Sequence, residues 1–482
     1  MDEGILRIAL DTARALGAEY ADVRAVARRR ERITVRNGKV HRASDSRTVG
    51  FGVRVLYDGA WGFASSSRMD REVAPKIAEE AVRIARASAR QGGKRATLAP
   101  CRPHRGKYRT KVKRDPFEVP LEEKITLLMD CDRLMRAGGP VRVTQGRLEC
   151  FREQKWFLSS EGACIQQEIV ECGGGIEAAA SAGGEIQRRS YPNAHRGHHA
   201  TAGYEFVEEM DLREHAERVG REAVQLLEAD PCPSLTTDLI LDGRQLAMQL
   251  HESCGHPMEL DRVLGQEVSL AGTSFLTPDD LGQFRFGSQE VNITADATLE
   301  RGLGTYGYDD EGVPAQRVPL VSEGILVGFM SSRETAARIG DESNGCMRAD
   351  GHNRLPLVRM TNVNLEPGDW SLEELIRDTR EGVFMEINRS WSIDDRRLNF
   401  QFGVECAWMI EEGSLTRMIK GATYTGITPQ FWRSCDAVCS EDYWELWGTP
   451  NCGKGEPGQT AHVGHGAAPA RFRRVKVGVR RL

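Results

Sequence analysis

The stretch HESCGH, residues 251–256, brings together side chains that can hold a metal ion and move a proton. The imidazoles of His251 and His256 are common zinc ligands, and the carboxylate of Glu252 can serve as a general base. In the zinc-peptidase pattern H-E-x-x-H the two histidines are four residues apart and share one helix face. Here they are five apart, so a catalytic interpretation requires a modified helix.

A regular α-helix would direct these two histidines away from each other. Each helical residue advances by about 100°, so residues five apart diverge by about 140°. A π-bulge or a frayed turn at Cys254-Gly255 would bring His256 round toward His251, and such bulges occur mostly at functional sites. Gly255 is expected to ease that distortion. The alternative is an ordinary helix with chance polar residues.

A catalytic zinc site also needs a third protein ligand. Seven residues could supply it, namely Cys254, His352, Cys435, Cys439, Cys452, His462 and His465. Cys254 lies inside the predicted helix and on the wrong face, and Cys435 and Cys439 form a weak pair that ordinary thiols explain better. Cys452 is favoured, because the glycines and prolines of WGTPNCGKGEPGQT predict a tight loop that can present a thiolate.

Four other patterns imitate functional motifs. The sequence from Gly448 to Lys454 matches most of a phosphate-binding loop but continues with a glycine that has no hydroxyl for magnesium. The pattern G-x-G-x-x-G over 302–307 is followed by an acidic turn rather than a helix. That turn, 309–311, is expected to face solvent. The histidines within 195–199 accompany glycines that more often allow close backbone approach than metal binding.

Composition limits the class of protein. A chain of 482 residues predicts two or three domains, and its net charge of −5 argues against general binding of nucleic acids. The opening MDEGILRIAL is acidic where an export signal would be basic, and nowhere does an apolar run approach the roughly 18 residues of a membrane helix. The 12 scattered cysteines suit a reducing cytoplasm.

The first part of the chain predicts helices packed on an antiparallel sheet. An amphipathic helix over 3–17 precedes alternating runs that turn at Asn37-Gly38 and again at Asp58-Gly59. Such dipeptides are strong signals for two-residue hairpins. With a helix after the second hairpin, residues 1–95 predict an N-terminal α+β domain.

Two further parts follow. A basic connector over 91–117 leads to a middle α+β section, residues 96–233, which ends in a long helix from Phe206 to about Glu228. Residues 234–482 predict a β-rich C-terminal domain that carries the HESCGH helix. The predicted fold class is α+β, an antiparallel-sheet α+β domain followed by this β-rich domain.

Several stretches together resemble the TldD/PmbA family of zinc metallopeptidases. They are VRNGKVHRASDSRTVGFGVRVLYDGAWGFASSS, FLSSEGACIQQE, HESCGHPMELDRVLG, GYDDEGVPAQRVPLVSEGILVGFM, PLVRMTNVNLEPGD and NCGKGEPGQ. The resemblance implies that His251, His256 and Cys452 bind zinc and that Glu252 is the base. It departs from the usual family pattern in the insertion 455–457 and in the extra cysteines near Cys435.

The resemblance also implies the reaction and the partners. A zinc-activated water would attack a peptide carbonyl while Glu252 accepts its proton. The substrates would be unfolded or extended polypeptides, and the chain would form a homodimer or a heterodimer with a related partner chain. Glycine-rich strands near 173–184 and 302–307 could admit a substrate strand, or could simply permit bulges and turns.

Two other functions remain open at this point. One is a non-catalytic assembly or regulatory subunit of the same fold; Glu252 argues against it, because a closed structural zinc site does not require a base. The other is a cysteine hydrolase that pairs Cys452 with His462 or His465, which would be insensitive to chelators and abolished by thiol alkylation.

Overall fold

Two eight-stranded sheets organise the described residues, together with a separate four-stranded sheet and two two-stranded hairpins. The computed structural model describes residues 2–137, 139–269, 272–455 and 457–478. The structure is α+β, as predicted. One feature of the sequence, the insertion 455–457, falls partly on Glu456, which lies outside the described residues.

The first sheet is built from residues 20–200. Its strands are β1 (Tyr20–Arg36), β2 (Lys39–Tyr57), β3 (Ala60–Ser66), β4 (Arg105–Arg109), β5 (Val141–Ser159), β6 (Cys164–Ala182), β7 (Glu185–Tyr191) and β8 (His198–Ala200). The order is β3-β2-β1-β5-β6-β4, with β7 and β8 also paired to β6. All of its pairs are antiparallel except β4 with β6.

Five helices pack on this sheet. They are α1 (Glu3–Ala15), α2 (Val73–Arg90), α3 (Leu121–Arg136), α4 (Glu205–Glu209) and α5 (Leu212–Glu228). One apolar core lies between α1, α2 and the strands β1 and β2, and a second lies between α3, α5 and the strands β5 and β6. Because β1 pairs with both β2 and β5, the first and middle parts of the chain share one sheet. The three-part domain division stays a prediction.

The predicted turns and the observed elements can be compared directly. Asn37 and Gly38 have φ of 50° and 71°, and Asp58 and Gly59 have 48° and 71°, as two-residue hairpins of right-handed twist require. The connector contains the short strand β4, which the basic composition did not suggest. The predicted helix over 206–228 is broken, because Asp211 adopts a left-handed φ of 47° between α4 and α5.

The second sheet and its hairpins come from residues 230–478. The strands are β9 (Asp230–Pro231), β10 (Leu235–Leu241), β11 (Ile293–Asp296), β12 (Arg317–Ser322), β13 (Ile325–Leu326), β14 (Met347–Arg348), β15 (Leu357–Val358), β16 (Val363–Leu365), β17 (Glu381–Ile393), β18 (Asn399–Glu411), β19 (Ser414–Lys420), β20 (Thr423–Ile427), β21 (Cys435–Val438), β22 (Glu445–Lys454), β23 (Gln459–Ala467) and β24 (Ala470–Val477). The helices are α6 (Gly243–Leu250), α7 (Leu260–Val263), α8 (Arg333–Ile339), α9 (Leu372–Asp378) and α10 (Thr428–Arg433).

Helix α6 and the β22–β23 hairpin position the candidate site. The sheet order is β17-β10-β24-β20-β18-β19-β9, and α6 follows β10 directly. Asp242 caps the helix, since its side chain accepts a hydrogen bond from the backbone of Gln245. Leu246, Leu250 and Cys254 are buried in the large C-terminal core, so the opposite side of the helix faces the hairpin.

Membrane crossing by a helix can be assessed from the described parts of the chain. None of the helices there is long and apolar enough to span a bilayer.

Candidate metal centre

The helix that carries HESCGH widens into a π-helix at this motif. Helix α6 gives way to a π-helix over His251–Gly255 and then to a 3₁₀ turn over His256–Met258. The backbone N–H of His256 donates to the carbonyl of His251, five residues back. One turn therefore accommodates the extra residue, and the two imidazole rings lie 4.8 Å apart, centroid to centroid. This is the distortion that the spacing predicts.

Gly255 has a different role from the expected one. Its φ of −60° is an ordinary helical value, so the π-turn does not depend on glycine's conformational freedom. A Cβ at this position would instead collide with the thioether of Met360. Gly255 thus allows close packing of the π-helix against the segment before β16.

Three potential ligands converge between the π-helix and strand β22. The donor atoms of His251, His256 and Cys452 all lie within 4.8 Å of one another, and all three residues are buried. The sulfur of Cys452 lies 3.7 Å from Nε2 of His256. The set of two imidazoles and one thiol is chemically suited to zinc.

His465 orients His251. Nδ1 of His465 donates to the carbonyl of Val363 at 3.2 Å, which leaves its Nε2 as an acceptor for Nδ1–H of His251 at 2.8 Å. The lone pair of His251 is therefore on Nε2. Burial lowers the pKa of both histidines, which keeps the rings neutral, as metal ligation requires.

A buried carboxylate orients His256. Nδ1 of His256 donates to Glu259 at 3.0 Å, so Nε2 carries the lone pair that faces Cys452. Burial raises the pKa of Glu259, but the ammonium of Lys454, 3.3 Å away, and His256 outweigh it, and the net pKa lies well below the usual value. Lys454 also contacts Asp261 at 2.7 Å. Such an ionised partner holds a ligand histidine in one tautomer.

The environment of Cys452 favours its thiolate. Burial raises the pKa of the thiol, yet the guanidinium of Arg359 and then the contact with His256 lower it more, so the net pKa is below the ordinary value. Arg359 donates Nη2 to the carbonyl of Cys452 at 2.6 Å. By contrast, burial raises the pKa of Cys254 well above its ordinary value. The two cysteines are thus chemically distinct, and the one in the apolar core stays protonated.

Glu252 shares a cavity with the three potential ligands. The cavity has a volume of about 260 Å³ and is also lined by His195 and Arg397. Arg397, in the turn between β17 and β18, donates Nη1 to Oε2 of Glu252 at 2.5 Å. The second carboxylate oxygen, Oε1, accepts no hydrogen bond within the described ranges, which leaves it available to accept a proton.

The other proposed ligands lie elsewhere. His352 packs against β2 beside Gly50, and His462 contacts Glu171 of β6 at 2.5 Å. Cys435 and Cys439 lie at β21, where burial raises the pKa of each thiol. His465 is the hydrogen-bond partner of His251 rather than a member of the cluster.

Sequence reasoning missed the residues that support the cluster. Glu259 follows His256 by three residues, which is a readable helical spacing, and Lys454 follows Cys452 by two in the quoted stretch NCGKGEPGQ, whereas Arg397 comes from a distant turn with no sequence signal. The acidic turn predicted to face solvent is buried: Asp310 is 0 % exposed and contacts Lys155 at 2.8 Å. The turn holds the first sheet against the C-terminal part.

The glycine-rich strands are covered by the protein's own backbone. A Cβ at Gly173 would collide with the carbonyl of His198, because β8 lies directly beside β6. A Cβ at Gly304 would collide with Thr361. These glycines therefore allow close packing within the chain, and the idea that they admit a substrate strand loses its support at both positions.

Comparisons with known proteins give one consistent family. Three family models of the PmbA/TldA metallopeptidase match this chain. The model of the C-terminal domain matches residues 234–478, that of domain 1 matches 21–85 and that of the central domain matches 114–229. The relative "Metalloprotease MJ0996" of Methanocaldococcus jannaschii is 34 % identical over 455 residues, which cover 94 % of this chain and 96 % of the relative. "Zinc metalloprotease TldD homolog" of Saccharolobus solfataricus is 27 % identical over 241 residues, 50 % of this chain and 51 % of the relative.

A solved structure shares the fold. TldE from Thermococcus kodakarensis superposes with a TM-score of 0.71 at 18 % identity, covering 98 % of this chain and 99 % of that one. At this identity the likeness describes the architecture alone.

Proposed function

Since the chain belongs to the PmbA/TldA metallopeptidase family, we propose that it is a zinc-dependent peptidase. His251, His256 and Cys452 hold the metal, and Glu252 is the general base. One observation carries the proposal: three buried donor atoms lie within 4.8 Å of one another on the wall of a cavity that Glu252 also lines.

The donor set supports zinc as the metal. Hydrogen bonds to His465 and Glu259 leave the Nε2 lone pairs of His251 and His256 free, and the lowered pKa of Cys452 favours its thiolate. Two imidazoles and one thiolate form a three-ligand set with one position open, as in catalytic zinc sites. A thiolate disfavours magnesium and calcium, which prefer oxygen ligands.

The chemistry divides between the metal and the base. Bound zinc supplies a Lewis acid that lowers the pKa of a water and polarises a carbonyl. Glu252 accepts a proton from the attacking water at Oε1 and returns it to the leaving amine. Arg397 holds Oε2 and so fixes the direction of the carboxylate. A non-catalytic subunit would have no use for a carboxylate fixed in this position.

The substrate and assembly follow from the family. We propose unfolded or extended polypeptides as substrates, because a cavity of about 260 Å³ is too small for a folded domain. We also propose, from the family to which the chain belongs, that it forms a homodimer or pairs with a related partner chain. A cytoplasmic location is proposed from the cysteine pattern, and cell fractionation tests it.

Metal content and cleavage together test the proposal. Purified wild type should hold about one zinc per chain by elemental analysis and cleave an unfolded peptide library. Glu252→Gln should retain zinc and lose cleavage, whereas Cys452→Ala should lose both. Cys254→Ala is the matched control, since it removes a buried thiol that lies outside the cluster.

Four results would contradict parts of the proposal. Zinc that survives Cys452→Ala would show that the third ligand is another residue. Cleavage that survives Glu252→Gln would remove the base. Wild type that binds no metal, and cleaves only when a partner chain is added, would support the assembly-subunit function instead. Cleavage that resists chelators but not thiol alkylation would support a cysteine hydrolase.

A further inference from the structure

A row of arginines crosses the face of the first sheet next to the metal centre. Residues two apart on a strand point to the same side, so Arg28, Arg30, Arg32 and Arg36 of β1 share one face. The register places Arg147 of β5 opposite Thr34 on that face. With Arg196, which precedes β8, we call these six arginines the basic trough.

The basic trough joins two cavities. A cavity of about 210 Å³ contains Arg28 and Arg30, and one of about 380 Å³ contains Arg36 and Arg147. Both are lined by Arg32 and Arg196. Arginines therefore line the whole face, in a chain whose net charge is −5. In the middle of the row, Arg30 and Arg32 pair with Glu149 at 3.0 Å and 3.1 Å.

The basic trough begins at the metal centre. Pro450 and Asn451 of β22 line both the first of these cavities and the cavity that contains Glu252. Arg359 also lines the trough cavity while donating to the carbonyl of Cys452. The metal-centre cavity and the trough cavity therefore share one wall.

The charges at the two ends of the basic trough differ. Near the metal centre, Arg28 is neutralised by Glu153 and Asp350, each at 2.7 Å. Farther away, Arg36, Arg147 and Arg196 have no ion pair among the described residues. The far end therefore carries the uncompensated positive charge.

A buried polar side chain also faces the far cavity. His199 is 4 % exposed and lines the 380 Å³ cavity, yet both of its ring nitrogens lack a hydrogen-bond partner within the described ranges. Buried polar groups are normally paired, and an unpaired one has a cost. Arg147, Arg196 and His199 thus present unused donors to one space.

We propose that the basic trough binds an acidic, extended segment of the polypeptide substrate, through Arg147, Arg196 and His199. The inference rests on the proposed peptidase function and names the substrate class. From Arg28 to Arg36 the strand spans about 26 Å at roughly 3.3 Å per residue, which matches an extended peptide of about eight residues.

A nucleic acid fits the basic trough less well. Bases bind single-strand grooves by stacking on open aromatic faces. Here the face of Phe151 is covered by Arg30, whose guanidinium carbon lies 4.9 Å from the ring centroid, and that of Tyr306 is covered by Arg348 at 5.3 Å. Carboxylates need only the guanidinium donors, which remain available.

Matched peptides test the proposal by cleavage. The substrates would be two pairs of quenched fluorogenic peptides that share one cleavable segment. Within each pair, one peptide carries four glutamates and the other four glutamines. In the first pair these residues precede the cleavable segment, and in the second pair they follow it. For one of the two placements, kcat/KM should be about three- to tenfold higher for the acidic peptide at low salt, and the ratio should fall toward one as salt screens the contacts. Arg147→Gln/Arg196→Gln should lose the preference.

The control variant is Arg71→Gln/Arg83→Gln, which removes two exposed arginines outside the trough. It should keep the preference of wild type. Equal kcat/KM for acidic and neutral peptides at both placements would overturn the acidic-segment inference while leaving the peptidase intact. Cleavage of neither peptide would instead overturn the proposed function.

Binding tests the basic trough independently of cleavage. Fluorescence anisotropy of a labelled acidic peptide on the Glu252→Gln protein should show weaker binding when Arg147→Gln/Arg196→Gln is added, by about three- to tenfold in Kd. No difference between the two proteins would overturn the assignment. Tighter binding of a single-stranded oligonucleotide of equal charge would overturn the choice of a peptide as occupant.

Discussion

Nε2 of His465 lies 2.8 Å from Nδ1 of His251, although the two residues are 214 positions apart in the sequence. The hydrogen bond from His465 to the carbonyl of Val363 leaves only its Nε2 to accept from His251. A residue that the sequence offered as a ligand is thus the residue that turns a ligand toward the cluster.

Removing this contact should weaken metal binding without removing a ligand. We expect His465→Phe to lower zinc affinity by about 10- to 100-fold, because His251 loses the partner that fixes its tautomer. His465→Gln should recover part of the loss, since its amide oxygen can accept the same hydrogen bond. Competition with a chromogenic chelator measures the affinity. His462→Phe, on the same strand, is the control; an equal loss there would argue against a specific role for His465.

Adding a side chain at Gly255 should disturb the packing of the π-helix and lower the stability of the protein. Gly255→Ala should destabilise the protein by about 1–3 kcal/mol, as overpacking does in cores, because the added methyl meets the thioether of Met360. Urea unfolding measures the loss. Gly458→Ala should be nearly neutral, since no atom lies within 4 Å of its added methyl. The loss caused by Gly255→Ala should be smaller when Met360→Ala is already present, because the clashing thioether is gone. Strictly additive losses would show that the two sites do not interact.

Replacing the buried cation Lys454 should lower the stability of the protein strongly. Lys454→Met leaves Glu259 and Asp261 buried beside each other without their ammonium, and breaking such a pair costs about 3–5 kcal/mol. Thermal unfolding of the metal-free protein measures this, so that zinc does not mask the change. Lys111→Met removes an exposed ion pair with Glu300, which solvent screens, and should leave the stability nearly unchanged. Similar losses in both variants would contradict the prediction.

The ionisation of Glu405 should lower the stability of the protein as pH rises. It lies on β18, where its carboxyl accepts hydrogen bonds from the N–H and hydroxyl of Ser190 on β7, each at 2.8 Å. Burial raises its pKa to about 7, so between about pH 4.3 and 7 the folded state holds a proton that the unfolded state has released. The free energy of unfolding therefore decreases through this window, by on the order of 3 kcal/mol for this group.

The variant Glu405→Gln isolates that contribution. Its side chain stays neutral at every pH, so the decrease in unfolding free energy between pH 5 and 8 should be smaller than in wild type. Urea titrations at the two pH values give the comparison. An unchanged pH dependence would show that Glu405 keeps its ordinary ionisation in the folded protein.

Local sequence determined much of the architecture and of the motif. The Asn37-Gly38 and Asp58-Gly59 turns formed as predicted, because a two-residue hairpin depends on backbone geometry within the dipeptide itself. The five-residue spacing between His251 and His256 likewise predicted a π-bulge or a frayed turn, since a regular helix directs the two rings apart, and the structure has the π-helix. The choice of Cys452 over Cys254 also came from local sequence.

Tertiary structure decided what surrounds these residues. Lys454, Arg397 and His465 reach the centre from separate turns and strands, and their positions depend on how the β22–β23 hairpin and the β17–β18 turn pack against the π-helix. Composition suggested a solvent-facing acidic turn at Asp310, yet burial against Lys155 reversed this. Periodicity and turn chemistry act over a few residues, whereas charge pairing and close packing depend on residues far apart in the chain, which only the folded structure brings into contact.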